Sequence, residues 1–212
     1  MASNSPSSAF GASRHPILFL ASSNPGKVAE FRALASESAA SFAIELLPRF
    51  AELPAFPEDA PTFAENAAGK ALHYSRFAEE LVFADDSGLV VPALGGAPGV
   101  RSARYAGEYA SNAERIAKLL SELRGKTGDE RKAYFVCAIA LAEKGRVLVV
   151  ITVRVDGEIL EAPRGSGGFG YDPVFYFPPL QKTFAELTRE EKNQHSHRGQ
   201  AFGKLLRALR SC

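Results

Sequence analysis

Two adjacent carboxylates, Asp85 and Asp86, follow directly on the apolar run Leu81-Val82-Phe83-Ala84 and precede Ser87-Gly88. Consecutive strand residues point to opposite faces, so only one of the pair enters a given cleft while the other turns toward the sheet or a neighbouring loop. Side-by-side carboxylates repel unless a cation or donors lie between them. A hard divalent ion such as Mg²⁺, which takes carboxylate and phosphate oxygens and keeps several waters, meets that need. The bland alternative is a solvated turn in which Gly88 supplies a positive φ.

A second cluster, Ser22-Ser23-Asn24-Pro25-Gly26-Lys27, lies between an apolar strand-like run and a helix. Ligands of open α/β sheets gather outside the carboxyl ends of strands, and a helix start offers N–H groups and partial positive charge that suit a phosphate. The spacing is not that of a P-loop, and a capping Asn24 with a solvated Lys27 is the plain alternative. Glu58 and Asp59 lie upstream of a helix on which Asn66 and Lys70, four apart, share a face. Lys70 lacks an acidic residue at i−4, and a solvated lysine is the commoner outcome of such a pattern. In Gly165 to Asp172, glycines permit close backbone approach and Phe169 has little local core to join, so it reads as a platform for a flat ring or, alternatively, packs back on the sheet. Finally, Lys192 and Arg198 offer fixed positive charge, and His197 and Arg198 open a helix where donors converge on an acceptor. His15 and His73 read as bland, and His195 is unassigned.

These groups need a scaffold. Ile17 to Ala21 has the continuous apolarity of a strand buried on both faces, and Asn24-Pro25 caps a helix carrying Val28, Phe31 and Leu34. Four prolines between Ile44 and Pro61 predict an extended segment or long loop. The capping box Thr62 to Glu65 starts a helix predicted to reach about Glu80, followed by a buried strand over 81–84 that ends at the aspartates. Ser111 to Glu114 opens another capped helix. Ala133 to Ala142 and Arg146 to Val155 read as antiparallel neighbours joined near Gly145, with Asp156-Gly157 as a further turn before Glu158. A capped turn at Thr188 to Glu191 and a terminal helix with Ala201, Leu205, Leu206 and Leu209 close the chain. Alternation first and clustered strands later predict a single α/β domain over residues 16–212 with a central mixed β-sheet flanked by helices; Met1 to His15 reads as a disordered tail rather than a transit segment.

With 25 Lys+Arg against 24 Asp+Glu, charge predicts no nucleic-acid or membrane-surface partner. At 46% hydrophobic the chain can bury a core, yet no stretch approaches a membrane span. Two distant cysteines, Cys137 and Cys212, give neither a disulfide framework nor a zinc cluster, so the expected compartment is reducing and cytoplasmic.

Taken in order, Ser22 to Lys27, Thr62 to Ala71 (Thr-Phe-x-Glu-Asn-Ala-x-x-Lys-Ala), Ala84 to Leu89 (Ala-Asp-Asp-Ser-Gly-Leu), Leu94 to Tyr105, Gly167 to Pro173 (Gly-Gly-Phe-Gly-Tyr-Asp-Pro) and Ser196 to Ala201 (Ser-His-Arg-Gly-Gln-Ala) closely resemble the inosine triphosphate pyrophosphatase family, also called Ham1-like or RdgB-like, and its bacterial dITP/XTP branch. The resemblance spans Ile17 to Leu209. It implies hydrolysis of non-standard purine nucleoside triphosphates (ITP, dITP, XTP) to the monophosphate and pyrophosphate, with Mg²⁺, by a homodimer whose two lobes flank a cleft. It further implies that Ser22, Ser23, Asn24, Pro25, Gly26 and Lys27 bind the triphosphate and Lys70 adds charge to it. Glu58 and Asp86 would hold Mg²⁺, Asp86 also acting as base. Ser87 would contact substrate, Phe169, Gly170, Tyr171 and Asp172 would hold the base, and Lys192, His197 and Arg198 would read its edge. Ser23 stands where relatives often have Gly, and the Pro-rich approach to Glu58 leaves Asp59 as an alternative ligand.

Overall fold

A computed structural model describes residues 17–37 and 42–210; the tail over 1–15 and Cys212 lie outside the described residues. The chain forms β1 (Ile17–Leu20), α1 (Pro25–Glu37), β2 (Ala43–Leu46), α2 (Phe63–Tyr74), β3 (Leu81–Val90), α3 (Asn112–Glu122), β4 (Lys132–Glu143), β5 (Arg146–Ile159), β6 (Phe175–Phe177), β7 (Lys182–Thr183), α4 (Arg189–His195) and α5 (His197–Arg210). One mixed sheet runs in the order β2-β1-β3-β4-β5-β6-β7. β1 pairs parallel with β2 and β3, and every pairing from β3 onward is antiparallel.

The expected burial of the first strand on both faces follows from its neighbours. Leu18 and Leu20 join Phe31, Phe83 and Phe202 on one side, whereas Phe19 and Ala21 meet α2 on the other. β4 explains how two layers of unlike thickness fit one strand. Cys137, Ile139 and Leu141 fill the α1/α5 side, while Ala138, Ala140 and Ala142 let α2 approach closely through Ala67 and Ala71.

Four expectations need correction. First, the segment after Ile44 is not all loop: β2 is an edge strand with one partner, which Pro48 can follow without breaking a ladder. Second, α2 stops at Tyr74, not near Glu80. The fully buried Ser75 donates from Oγ to Leu72 O (3.1 Å) and accepts from the N–H of Gly145 (3.0 Å), tying the helix end to the β4–β5 hairpin. Third, β3 does not end at the aspartates but continues to Val90, so Asp85 and Asp86 are rigid strand residues paired with Ile139 and Ala138. Gly88 is there for space, since a Cβ would come 2.2 Å from Ser102 Oγ. Fourth, Asp156-Gly157 is no turn: β5 passes through it, and a Cβ at Gly157 would lie 2.5 Å from both Phe175 Cζ and Tyr176 O.

β1 and β3 differ in length, and that difference opens the cleft. β1 accompanies β3 only as far as Phe83, with Ala21 N–H donating to Phe83 O (2.9 Å). Beyond that point other groups meet the β3 edge. Lys27 Nζ reaches Asp85 O (3.4 Å), Leu89 N–H donates to Ser102 Oγ (2.9 Å), and Val90 bridges Pro98.

Candidate active site

A cavity of about 470 Å³ opens where β1 leaves β3. Ser22 to Lys27, Glu58, Lys70, Asp86, Ser87, Phe169 to Asp172, His197 and Arg198 all line it. Lys192 stands behind this wall, and Asp59 is exposed and outside it. The residues come from both sides of the switch between parallel and antiparallel pairing, where open α/β sheets collect ligands.

The α1 start is built by its own cap. Asn24 Oδ1 accepts from the N–H groups of Gly26 (3.0 Å) and Lys27 (3.2 Å), and Asn24 N–H donates to Ser22 Oγ (3.3 Å). Pro25 has no N–H, so the helix start meets a ligand with its dipole and with side chains rather than with a bare row of amides. Lys27 Nζ lies 3.0 Å from Asp85 Oδ2. Burial pushes the Asp85 carboxyl up, but Lys27, Arg198 and Lys70 outweigh it and hold the group below its ordinary value. Asp85 thus stays charged beneath the floor as a counter-ion.

Asp86 behaves oppositely. Its Oδ2 accepts from Asn66 Nδ2 (2.9 Å) and its Oδ1 from Ser87 N–H (2.9 Å). Burial is the main cause that raises its pKa to about 6, helped by Glu58 and Asp85 and opposed by Lys27 and Asn66. The fully buried Asn66 also accepts from Ala60 N–H (2.9 Å) and donates to Ala60 O (3.3 Å), fastening the Glu58 loop to Asp86. Lys70, read from its pattern as a solvated lysine, is buried and paired with Glu58 twelve residues upstream. The intrahelical rule missed this because the partner lies on the Pro-rich loop.

The opposite end is a chain of charges. Glu30 bridges Arg198 and Lys192, Lys192 Nζ also meets Asp172 Oδ2 (2.6 Å), and that same oxygen accepts from Phe169 N–H (2.7 Å). Burial raises the Glu30 carboxyl, yet Arg198 and Lys192 bring it below its ordinary value. Arg198 Nη2 donates to Ser87 Oγ (2.7 Å), joining this network to β3. Phe169 does pack back, on Gly26, where a Cβ would lie 2.8 Å from the ring, and it still faces the cavity. Lys192 and Arg198 sit 5.2 and 5.4 Å from its centroid. His197 stacks on Phe135 (4.5 Å, 8°), and burial followed by the charges of Arg198, Lys192 and Lys27 drives its pKa well below the ordinary value. It is therefore a neutral imidazole, and its Nδ1 is without a partner among the described residues. His195 rests on Phe177, and His73 Nε2 bonds Pro54 O (2.8 Å), both away from the cavity.

From the sequence alone, Asp85 and Asn66 receive no role of their own within their clusters and Glu30 is passed over. Glu30 carried a faint signal, one residue beside the helical row of Val28 and Phe31, but its partners are more than 160 positions away.

The arrangement sets paired carboxylates and amines at one end against an aromatic shelf with fixed donors at the other. Among the described residues no three His, Cys, Asp or Glu side chains converge to hold a metal alone. The hard oxygens of Glu58 and Asp86 nonetheless suit a divalent ion completed by water and phosphate.

Comparison with known proteins shows the family. The Ham1 family model matches residues 18–208. The chain is 53% identical over 188 residues to a dITP/XTP pyrophosphatase of Geobacillus kaustophilus (89% of this chain, 91% of that protein). It is 50% identical over 191 residues to one of Gloeobacter violaceus (89% and 92%). Among solved structures, it resembles a HAM1 protein from Coxiella burnetii with a TM-score of 0.81 at 42% identity (93% and 100% covered). A Ham1 protein of Staphylococcus aureus gives 0.80 at 38% identity (92% and 98%).

Proposed function

The chain belongs to the Ham1 family, and from that premise we propose that it hydrolyses non-standard purine nucleoside triphosphates, ITP, dITP and XTP, to the monophosphate and pyrophosphate. The observation that carries the reading is the single cavity into which Glu58, Lys70 and Asp86 open together with Phe169, His197 and Arg198.

Breaking the α–β phosphoanhydride requires a water aligned in line with the leaving pyrophosphate and cations that absorb its growing charge. Asp86, with a pKa of about 6, is ionised at neutral pH and basic enough to take the proton of that water. The water oxygen joins the α-phosphorus, the bridging P–O bond breaks, and pyrophosphate departs with the bond pair. Lys27 and Lys70 face the triphosphate. Glu58 and Asp86 would hold Mg²⁺, which when bound supplies charge neutralisation at the phosphoryl oxygens.

At the other end Phe169 stacks on the purine while Arg198 and the neutral His197 address its edge. Donors aimed at a 6-oxo oxygen meet an acceptor in hypoxanthine and xanthine but face the 6-amino donor of adenine. Each buried polar group so stranded costs about 1–3 kcal/mol. Lys192 acts through Asp172 and Glu30 and is a positioning residue in this scheme. A homodimer and a cytoplasmic setting belong to the same proposal on the strength of the family resemblance.

The test is a product assay over ITP, dITP, XTP, ATP and GTP with and without Mg²⁺. Metal-dependent pyrophosphate release from ITP, dITP and XTP well above that from ATP is expected; equal turnover of ATP, or none of ITP, refutes the reading.

A further inference from the structure

Five cationic side chains line the cavity: Lys27, Lys70, Arg104, Arg115 and Arg198. Three are already answered by carboxylates, Lys27 by Asp85, Lys70 by Glu58 and Arg198 by Glu30. Arg115 meets no carboxylate among the described residues, but all three of its nitrogens are engaged: Nε on Ser111 O (3.2 Å), Nη1 on Ala103 O (2.8 Å) and Nη2 on Asn112 Oδ1 (2.8 Å). Arg104 differs from all four. Among the described residues its guanidinium makes one bond, Nη2 to Glu58 O (2.7 Å), and meets no carboxylate. An arginine facing a cavity with most of its fork unused presents full charge and planar donors to whatever enters, and that fork matches phosphoryl oxygens in pairs.

We infer that Arg104 contacts substrate, gripping the β- and γ-phosphoryl groups that leave as pyrophosphate; the assignment rests on the triphosphate reading above. Its location follows from its one bond. Glu58 O lies on the loop whose side chain meets Lys70 and faces Asp86, so Arg104 stands at the phosphate end and not at the Phe169 shelf. Its backbone is held in place. It ends the 3₁₀ turn Gly99–Arg104, which is pinned by Ser102 Oγ donating to Gly99 O (2.6 Å), by Tyr171 Oη donating to Ser102 O (2.9 Å) and by Arg115 on Ala103 O. The side chain above that turn is exposed. Arg104 keeps its proton throughout. It takes on the charge that the departing bridging oxygen acquires, where Lys27 and Lys70 enter the reaction with their own carboxylates still beside them.

The experiment uses the full chain with Mg²⁺ and ITP, measuring pyrophosphate release and its inhibition by added pyrophosphate and by IMP, for wild type, Arg104→Ala and Arg104→Gln. Glutamine keeps a donor for the Glu58 carbonyl but no charge. Both variants are expected to lower kcat/KM for ITP and raise the inhibition constant of pyrophosphate about tenfold, the loss of one charged contact, while inhibition by IMP and the melting temperature stay put. Wild-type behaviour of Arg104→Gln assigns the residue to strapping the loop and overturns the inference, as does an equal loss for pyrophosphate and IMP. A wild-type enzyme that releases no pyrophosphate from ITP overturns the parent reading and the assignment with it, whereas an active wild type with unchanged variants overturns the assignment alone.

Discussion

Glu30 at one end of the cavity and Asp86 at the other handle charge in opposite ways. At the shelf end, Glu30, Lys192, Asp172 and Arg198 form a network in which each charge has an opposite neighbour; Glu30 is held below its ordinary pKa, while burial holds Asp172 above its own. At the acidic end, Asp86 is held above its ordinary pKa, with Glu58 and Asp85 among the causes. Paired charges fix donors in place, as recognition of a flat ring demands. Asp86, hydrogen-bonded by Asn66 and Ser87 yet raised by burial, is poised to accept a proton or a cation, as chemistry demands, and holding it so lowers stability.

The largest effect is expected at Asp86. Asp86→Asn should cut pyrophosphate release from ITP by roughly a thousandfold, the scale of losing a general base, with the fold intact; near-normal turnover would erase the functional contrast between the ends. Next, Glu30→Ala should cost about 3–5 kcal/mol of stability, because it removes the anion between two buried cations and leaves each with one carboxylate, Asp85 for Arg198 and Asp172 for Lys192. A melting temperature equal to that of the wild type would mean that the network is not closed by Glu30.

The sharper test compares these with the stability of metal-free Asp86→Asn. Since Asp86 moves from 3.8 up to about 6 on folding, its contribution to stability is fully present below about pH 4 and is lost as pH rises through about 6. That loss is at most about 3 kcal/mol. Asparagine stays neutral, so metal-free Asp86→Asn should melt above wild type at pH 7.5 and the two curves should converge below pH 4; parallel curves would contradict an elevated Asp86. The smallest effects belong to the purine contacts. Arg198→Ala should narrow discrimination between ITP and ATP about tenfold, and Phe169→Ala should raise KM for both by a similar factor, about 1–3 kcal/mol of stacking. If Arg198→Ala weakened both nucleotides alike, edge reading would have to lie elsewhere.

Much of this was legible in the sequence, unevenly and for physical reasons. Local signals held: Asn24 caps α1, Ser111 to Glu114 and Thr188 to Glu191 form the reciprocal caps their spacing predicts, and Gly145 turns the hairpin. Signals that depend on distant partners failed. Asp85-Asp86 looked like a strand end, yet β4 supplies a ladder that carries β3 past them, and Asp156-Gly157 looked like a turn because nothing nearby reveals Phe175 pressing on Gly157. Lys70 looked solvated, and Glu30 drew no notice, since the charges that bury them arrive from a proline-rich loop and from the last helices. The motifs named most of the cavity wall in advance; the counter-ions beneath it became visible only in three dimensions.

The mismatch between a four-residue first strand and a ten-residue third has a bearing on how tolerant the fold is to change. The chamber's mouth is a gap in backbone pairing, its depth set by where one strand stops and not by any particular side chain. Extending β1 by a single pair of residues would plug that gap with main chain, whatever was done to the walls, whereas replacing wall residues one at a time leaves the opening as it is.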